Sequence, residues 1–251
     1  MEIISEKMKT NKALLTGYIQ SPGIEMMNLN TRPAVLILPG GFFQFCSEKE
    51  MEPVALAYVQ QGFNAFVLRY TTIGNGTTEN AFACACTDAE EAMAYLRANA
   101  AKLHIDPKKI AAVGFSTGGS VAAALGTMSK EKPNALVLGY AALYPEKEGM
   151  TADLIPDLTE DVDETTPPAF LFVAQDDEIL SSAHTLRFAE ALAKRQIPYE
   201  CHVFSSGGHA MSLANETVAG IYGAVSKEAA RWLPMSAAFL KNVWKKQPAE
   251  K

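Results

Sequence analysis

Gly114-Phe115-Ser116-Thr117-Gly118 stands between an apolar run at 110–113 and a small-residue stretch of helical character at 120–125. A strand that turns sharply into a helix at a serine holds that residue in a strained backbone and projects its hydroxyl into a cleft. Only small flanking residues tolerate such a turn, and the two glycines supply the room. Read alone, the five residues are an ordinary glycine turn. The strand before them and the helix after them make Ser116 the candidate nucleophile.

Working outward from this turn, short β-branched runs alternate with longer small-residue or amphipathic ones from about residue 34 onward. Residues 34–38 and 65–68 read as buried strands, with a helix at 52–61 between them closed by Gly62. A long Ala-rich helix follows at 79–102, Asp106-Pro107 marks a boundary, and the strand at 110–113 leads into the serine turn. Further strands are predicted at 135–138, 169–173 and 199–204, helices at 183–195 and 227–241, and an edge strand at 14–20. This alternation predicts an α/β fold, a mostly parallel central sheet with helices on both faces. With no Gly/Ser- or Pro-rich linker, residues 1–251 read as one domain, in which 144–167 form an acidic loop or short lid.

A composition of 48% hydrophobic and 20% charged residues fits a globular protein, and a net charge of −6 argues against nucleic acid or anionic membrane as the main partner. No apolar stretch reaches signal-peptide or bilayer-spanning length, so a cytoplasmic enzyme is expected. Cys46, Cys84, Cys86 and Cys201 are too sparse for a disulfide scaffold, and Cys84 and Cys86 diverge around a helix axis. They read as free thiols without a metal.

A serine hydroxyl is a poor nucleophile at neutral pH and needs a base, which in turn needs an orienting group. Of the four histidines, His104 falls at the far end of its strand from the serine, while His184 lies in a helix and His202 in a strand. His209 follows the strand at 199–204 in the loop Ser205-Ser206-Gly207-Gly208-His209, at the sheet edge where parallel folds gather their catalytic loops. The orienting carboxylate is expected after the strand at 169–173, where Asp176 and Asp177 are adjacent. Spacing leaves open which of them faces His209; the other holds the loop. The order Ser, Asp, His is that of α/β-hydrolases. The amide of Thr117 and that of Phe42 or Gly41, in the glycine turn after 34–38, are the candidate oxyanion donors.

With these residues placed, the chain resembles the α/β-hydrolase superfamily, and within it the small acetyl-xylan-esterase-like esterases related to the prolyl oligopeptidase and dienelactone hydrolase group. The resemblance spans nearly the whole length. It is carried by Leu38-Pro39-Gly40-Gly41-Phe42, by His104-Ile105-Asp106-Pro107 leading into Gly114 to Gly119, by Thr166-Pro167-Pro168 leading into Asp176-Asp177, and by Gly208-His209. It implies Ser116 as nucleophile, His209 as base and Asp177 as the orienting acid. Pro39 stands where many relatives carry histidine, and Phe42 where many carry a third glycine. The short segment before Pro167-Pro168 implies an open cleft.

The expected activity is that of a serine carboxylic ester hydrolase removing short acyl groups, above all acetyl, through an acyl-Ser116 intermediate and without a cofactor or metal. Acetylated carbohydrate, such as an acetylated xylo-oligosaccharide, is the expected partner; nucleic acid and membranes are not, and self-association is left open. Phe42, Phe43 and Phe45 are candidates to wall an acyl pocket. Should the acidic loop overhang the cleft, Glu146, Glu148, Asp153, Asp157, Glu160, Asp161, Asp163 and Glu164 would disfavour anionic substrates. The alternatives are a serine peptidase or amidase, and a silent binding protein on the same fold.

Overall fold

In the computed structural model, residues 1–11, 13–23, 25, 30–76, 80–146, 154–221 and 223–245 are described. Strand β1 is Glu2–Lys7, β2 Leu14–Ile19, β3 Arg32–Leu38, β4 Asn64–Arg69, β5 Ile105–Phe115, β6 Ala135–Gly139, β7 Ala169–Ala174 and β8 Tyr199–Phe204. They form one eight-stranded sheet in the order β1-β2-β4-β3-β5-β6-β7-β8. β3 to β8 run parallel, and β1 and β2 add antiparallel strands at one side. This is the expected α/β architecture.

Continuous apolar strands require cover on both faces, and successive side chains divide between them. Leu36 and Leu38 of β3 pack with residues of helices α2 (Ala81–Ala98), α3 (Ser116–Thr127) and α4 (Ala183–Lys194). Val35 and Ile37 face the opposite layer, α1 (Glu52–Gln60) and α5 (Trp232–Lys245). Helix α3, whose residues are all buried, runs under the centre of the sheet because its Ala- and Gly-rich sequence allows close approach. Among the described residues, no helix is long and apolar enough to cross a membrane.

Three expectations are corrected. The strand at 14–20 exists as β2 but is not the edge: β1 pairs outside it, Glu2 opposite Ile19. An exposed edge strand reading Glu-Ile-Ile-Ser-Glu-Lys lacks the apolar run that marks buried strands. Asp106-Pro107 is an irregularity within β5, not its boundary, since Arg32 pairs with Ile105 but Ala34 with Ile110. The helix expected at 227–241 starts later, a 3-10 turn at Ala229–Arg231 leading into α5 at Trp232. Part of the helix expected at 79–102 lies outside the described residues at Glu79; α2 begins at Ala81, capped by the Asn80 side chain on the Ala83 amide.

The parallel register gathers the C-terminal ends of neighbouring strands. Leu38 lies beside Gly114, and Phe115 beside Gly139. The loops that leave these ends, together with those after β7 and β8, form the site.

Candidate active site

At the end of β5 the chain enters α3 through Ser116, whose φ of 50° lies in the left-handed region that a serine seldom adopts. The flanking glycine is fixed by space: a Cβ on Gly118 would lie 2.2 Å from the Leu38 carbonyl oxygen and 2.3 Å from that of Pro39. The turn thus wedges the serine between the ends of β3 and β5.

His209 approaches from the loop after β8. Its Nε2 lies 3.0 Å from the Ser116 Oγ, and its Nδ1 is 2.8 Å from Asp177 Oδ2. The structure therefore brings together three residues that are distant in sequence. The Asp177 side chain is shielded from solvent, and its other oxygen accepts the amides of Ile179 and Leu180, both at 2.9 Å. Asp176 points elsewhere and accepts the Gly208 amide at 2.8 Å, clamping the loop that carries His209. Adjacent carboxylates on a tight turn diverge, so the spacing alone left the choice open. A carboxylate on Nδ1 favours the tautomer with its proton there, leaving the Nε2 lone pair to receive the serine proton.

The glycine turn after β3 faces Ser116. Gly41 has a φ of 135°, and a Cβ there would fall 2.1 Å from the Phe45 carbonyl oxygen, so the turn requires glycine. Its carbonyls are turned into their own loop: that of Gly41 accepts the Gln44 amide at 2.9 Å, and that of Gly40 accepts the Ser47 amide at 2.9 Å. The Gly41 and Phe42 amides donate to no acceptor among the described residues. The Thr117 amide lies in the first turn of α3, where the helix provides no acceptor.

A cavity of about 250 Å³ opens over Ser116, bounded by Gly41, Phe42, Phe45, Lys49, Ile179 and His209 among others. Phe42, at a φ of 55°, stacks on the His209 ring with centroids 6.3 Å apart. Phe43 does not wall this cavity. It is buried in the core edge-on to Phe82, which corrects the expectation for that ring. A second cavity, of about 330 Å³, lies against His209 and Ile179 and is lined by Asp176, Glu178, Gly208 and Ile221.

The acidic segment does not enter the site among the described residues. Asp157 pairs with Arg187, Asp163 with Lys132, Glu164 with Arg195 and Glu146 with His184, and none of the residues lining the Ser116 cavity comes from it. Glu148 and Asp153 lie outside the described residues. The described acidic residues of this segment therefore place no charge at the cleft, and the charged side chains lining the cavity are Lys49 and Glu50. Burial lowers the Lys49 pKa, with the neighbouring Glu50 charge opposing.

Sequence reasoning missed two residues of this region. Glu50 sits under the glycine turn: its Oε2 accepts the Gly40 amide and its Oε1 the Tyr140 hydroxyl, each at 2.7 Å. Tyr140, just past β6, packs edge-on to His209 with centroids 5.2 Å apart. An acidic residue just before a helix ordinarily reads as a solvated partner of the helix dipole, so nothing local marked Glu50 as buried. The remaining histidines lie apart. His104 bonds through its carbonyl to the Arg32 amide at the opposite sheet end, and His202 is on β8. His184 is buried in α4, where Nδ1 accepts the Leu143 amide at 3.1 Å and the ring stacks on Tyr144 at 4.0 Å. The four cysteines are thiols rather than disulfides, and the described residues contain no cluster able to hold a metal.

Comparison with known proteins agrees with this architecture. A family model described as BD-FAE matches residues 24–149. The structure of MGS-M1, an α/β hydrolase enzyme from a Medee basin deep-sea metagenome library, is 40% identical and superposes with a TM-score of 0.88 over 98% of both chains. That of a sugar hydrolase from Lactococcus lactis is 26% identical, with a TM-score of 0.86 over 97% of this chain and 99% of that one. An acetyl ester-xyloside bifunctional hydrolase from Caldicellulosiruptor lactoaceticus is 25% identical, with a TM-score of 0.79 over 94% and 90%. Endo-1,4-beta-xylanase B of Butyrivibrio fibrisolvens is 27% identical over 212 residues, 74% of this chain; the chain spans only 33% of that relative's length.

Proposed function

The chain belongs to the BD-FAE family and is an α/β hydrolase of the esterase type, and on that premise we propose that it is a serine carboxylic ester hydrolase acting on short acyl esters, with acetylated carbohydrate as the leading substrate class. The observation that carries this reading is the pair of contacts from His209, 3.0 Å to the Ser116 hydroxyl and 2.8 Å to Asp177, beside a turn whose Gly41 and Phe42 amides have no acceptor among the described residues.

In this mechanism the Ser116 Oγ attacks the acyl carbon as its proton passes to His209 Nε2, and the carbonyl π pair moves onto oxygen. The Thr117 amide, with that of Phe42 or Gly41, receives the developing oxyanion. Collapse breaks the bond to the alcohol, which takes the proton from Nε2 as it leaves. Water then attacks the acyl-Ser116 ester, giving one proton to His209, which passes it to Ser116 Oγ as the acid departs. Asp177 stays ionised throughout and stabilises the transient imidazolium.

The acyl group fits the cavity beside Phe42 and Phe45, and the alcohol the neighbouring cavity, where Asp176 and Glu178 offer acceptors to sugar hydroxyls. Residues 1–251 act as one domain in this reading. The acetyl ester-xyloside activity named for the Caldicellulosiruptor relative supports the carbohydrate assignment by similarity.

The test is a substrate panel: aryl esters of rising acyl length, an acetylated xylo-oligosaccharide and an aminoacyl anilide. Acetate release from the oligosaccharide, with kcat/KM falling as the acyl chain lengthens, is the expected result. Preference for the anilide would make the protein an amidase, and no turnover of any ester would leave it a binding scaffold.

A further inference from the structure

We propose that Glu50 is a positioning residue of the reaction, holding the oxyanion turn and the histidine loop in register through its two carboxylate oxygens. The inference rests on the serine-esterase reading above. Glu50 ends a 3-10 turn at Glu48–Glu50 and is 1% exposed. Its Oε2 accepts the Gly40 amide, one residue before the candidate donors Gly41 and Phe42. Gly40 is also in close packing with the nucleophile: a Cβ there would lie 2.9 Å from the Ser116 Cβ and 3.0 Å from Glu50 Oε2. The second oxygen, Oε1, receives the Tyr140 hydroxyl.

Tyr140 extends the link to the base. Its hydroxyl oxygen accepts the Ser212 amide at 3.1 Å, three residues past His209, and its ring packs against the imidazole. The Ser212 hydroxyl returns to the Lys49 carbonyl, next to Glu50, and the Trp232 indole N–H donates to the Ser212 carbonyl at 2.7 Å. One carboxylate thus links the turn after β3, which carries the Gly41 and Phe42 donors, through Tyr140 at the end of β6 to the loop after β8, which carries the base.

Both hydrogen-bond partners of Glu50 are neutral, so the chain buries an acid where a well-packed neutral residue would cost less. Burial raises its pKa, opposed by the Tyr140 and Gly40 hydrogen bonds and the His209 charge. A residue retained only for packing gains nothing from that arrangement. One that aims an amide turn does, because a carboxylate accepts on both oxygens at once, whereas an amide side chain offers Tyr140 a donor in place of an acceptor.

The experiment compares wild type, Glu50→Gln and Tyr140→Phe with an aryl acetate, measuring kcat, KM, thermal stability and affinity for a boronic acid that forms a tetrahedral adduct with a serine. For Glu50→Gln, kcat is expected to fall about 10- to 100-fold and boronate affinity to fall in step, while KM changes less than about threefold. Its melting temperature is expected to change by only a few degrees, since the amide keeps the volume of the acid and its bond to the Gly40 amide and mismatches Tyr140 alone. Tyr140→Phe should lose about 3- to 10-fold in kcat.

A Glu50→Gln protein with kcat within about twofold of wild type, or one whose loss merely tracks reduced stability, overturns the inference. Should that variant not fold, an unchanged kcat in Tyr140→Phe overturns it instead. A wild type that neither hydrolyses the ester nor binds the boronate removes the serine-esterase reading and this inference with it, whereas an active wild type with an indifferent Glu50→Gln removes this inference alone.

Discussion

Asp177 Oδ2 lies 2.8 Å from His209 Nδ1, while the next carboxylate along the chain, Asp176, is committed to the Gly208 amide. Two identical side chains one residue apart therefore take different roles. Asp177→Asn, which presents the wrong group to the imidazole, is expected to lower kcat by about 10³-fold or more. In Asp176→Asn the side-chain oxygen still accepts the Gly208 amide, so a loss under about tenfold is expected. Equal losses in steady-state assays on an aryl acetate would contradict this division.

Backbone strain at the serine has its own signature. Ser116 sits at a φ of 50°, where alanine pays a steric cost that glycine escapes. Ser116→Ala and Ser116→Gly both lack the hydroxyl, so their difference isolates the strain. The glycine variant should be the more stable by about 1 kcal/mol in denaturant titration. An alanine variant of equal or greater stability would mean the turn is not strained.

Gly118 leaves no room for a side chain, with the Leu38 carbonyl oxygen 2.2 Å from where a Cβ would stand. Gly118→Ala must displace β3 or α3, and a loss of about 3 kcal/mol or more is expected, or failure to fold. Gly62 is not crowded, since a Cβ added there would meet nothing within 4 Å; Gly62→Ala pays only for its positive φ of 92°. Comparable losses at the two sites by thermal melting would contradict the crowding at Gly118.

Phe45 borders the cavity but is 56% exposed. Its ring can contact an acyl or aryl group equally in the ground and transition states, so Phe45→Ala should raise KM about 3- to 10-fold and leave kcat within about twofold. A selective fall in kcat would place the ring in transition-state stabilisation instead.

His184 imposes a pH dependence on stability. Burial holds its imidazole below the ordinary 6.5, with the Glu146 hydrogen bond opposing. Between that lowered value and 6.5 the unfolded chain binds a proton that the folded chain refuses, so this contribution is complete above about pH 6.5 and is lost as pH falls below it. The unfolding free energy should therefore rise with pH up to about 6.5, and more steeply in wild type than in His184→Asn. Equal slopes would contradict the burial argument.

The sequence made legible what local chemistry encodes. Continuous apolar runs marked β3, β4, β6, β7 and the second half of β5, and the glycine pair around Ser116 marked the strand-to-helix turn. The loop positions of the Asp176-Asp177 pair and of His209 followed from strand ends, because a parallel sheet carries all such ends to one edge, while the choice of Asp177 within the pair came from the family resemblance alone. What escaped was decided by tertiary contact. β1 is an exposed polar edge strand without an apolar run, Phe43 turns into the core beside Phe82, and three acidic side chains of the 154–164 stretch, Asp157, Asp163 and Glu164, pair with Arg187, Lys132 and Arg195. Glu50 shows the limit most clearly, since nothing in its neighbours Lys49 and Met51 reveals that it is buried against Gly40 and Tyr140.

The central claim is that His209 makes the Ser116 hydroxyl nucleophilic, and covalent capture by a fluorophosphonate followed by peptide mass spectrometry tests it most directly. A single adduct on Ser116, abolished in Ser116→Ala and slowed about 10²-fold or more in His209→Ala, is the result this account requires. An unlabelled Ser116 in folded wild-type protein, or labelling as fast without His209 as with it, would contradict it.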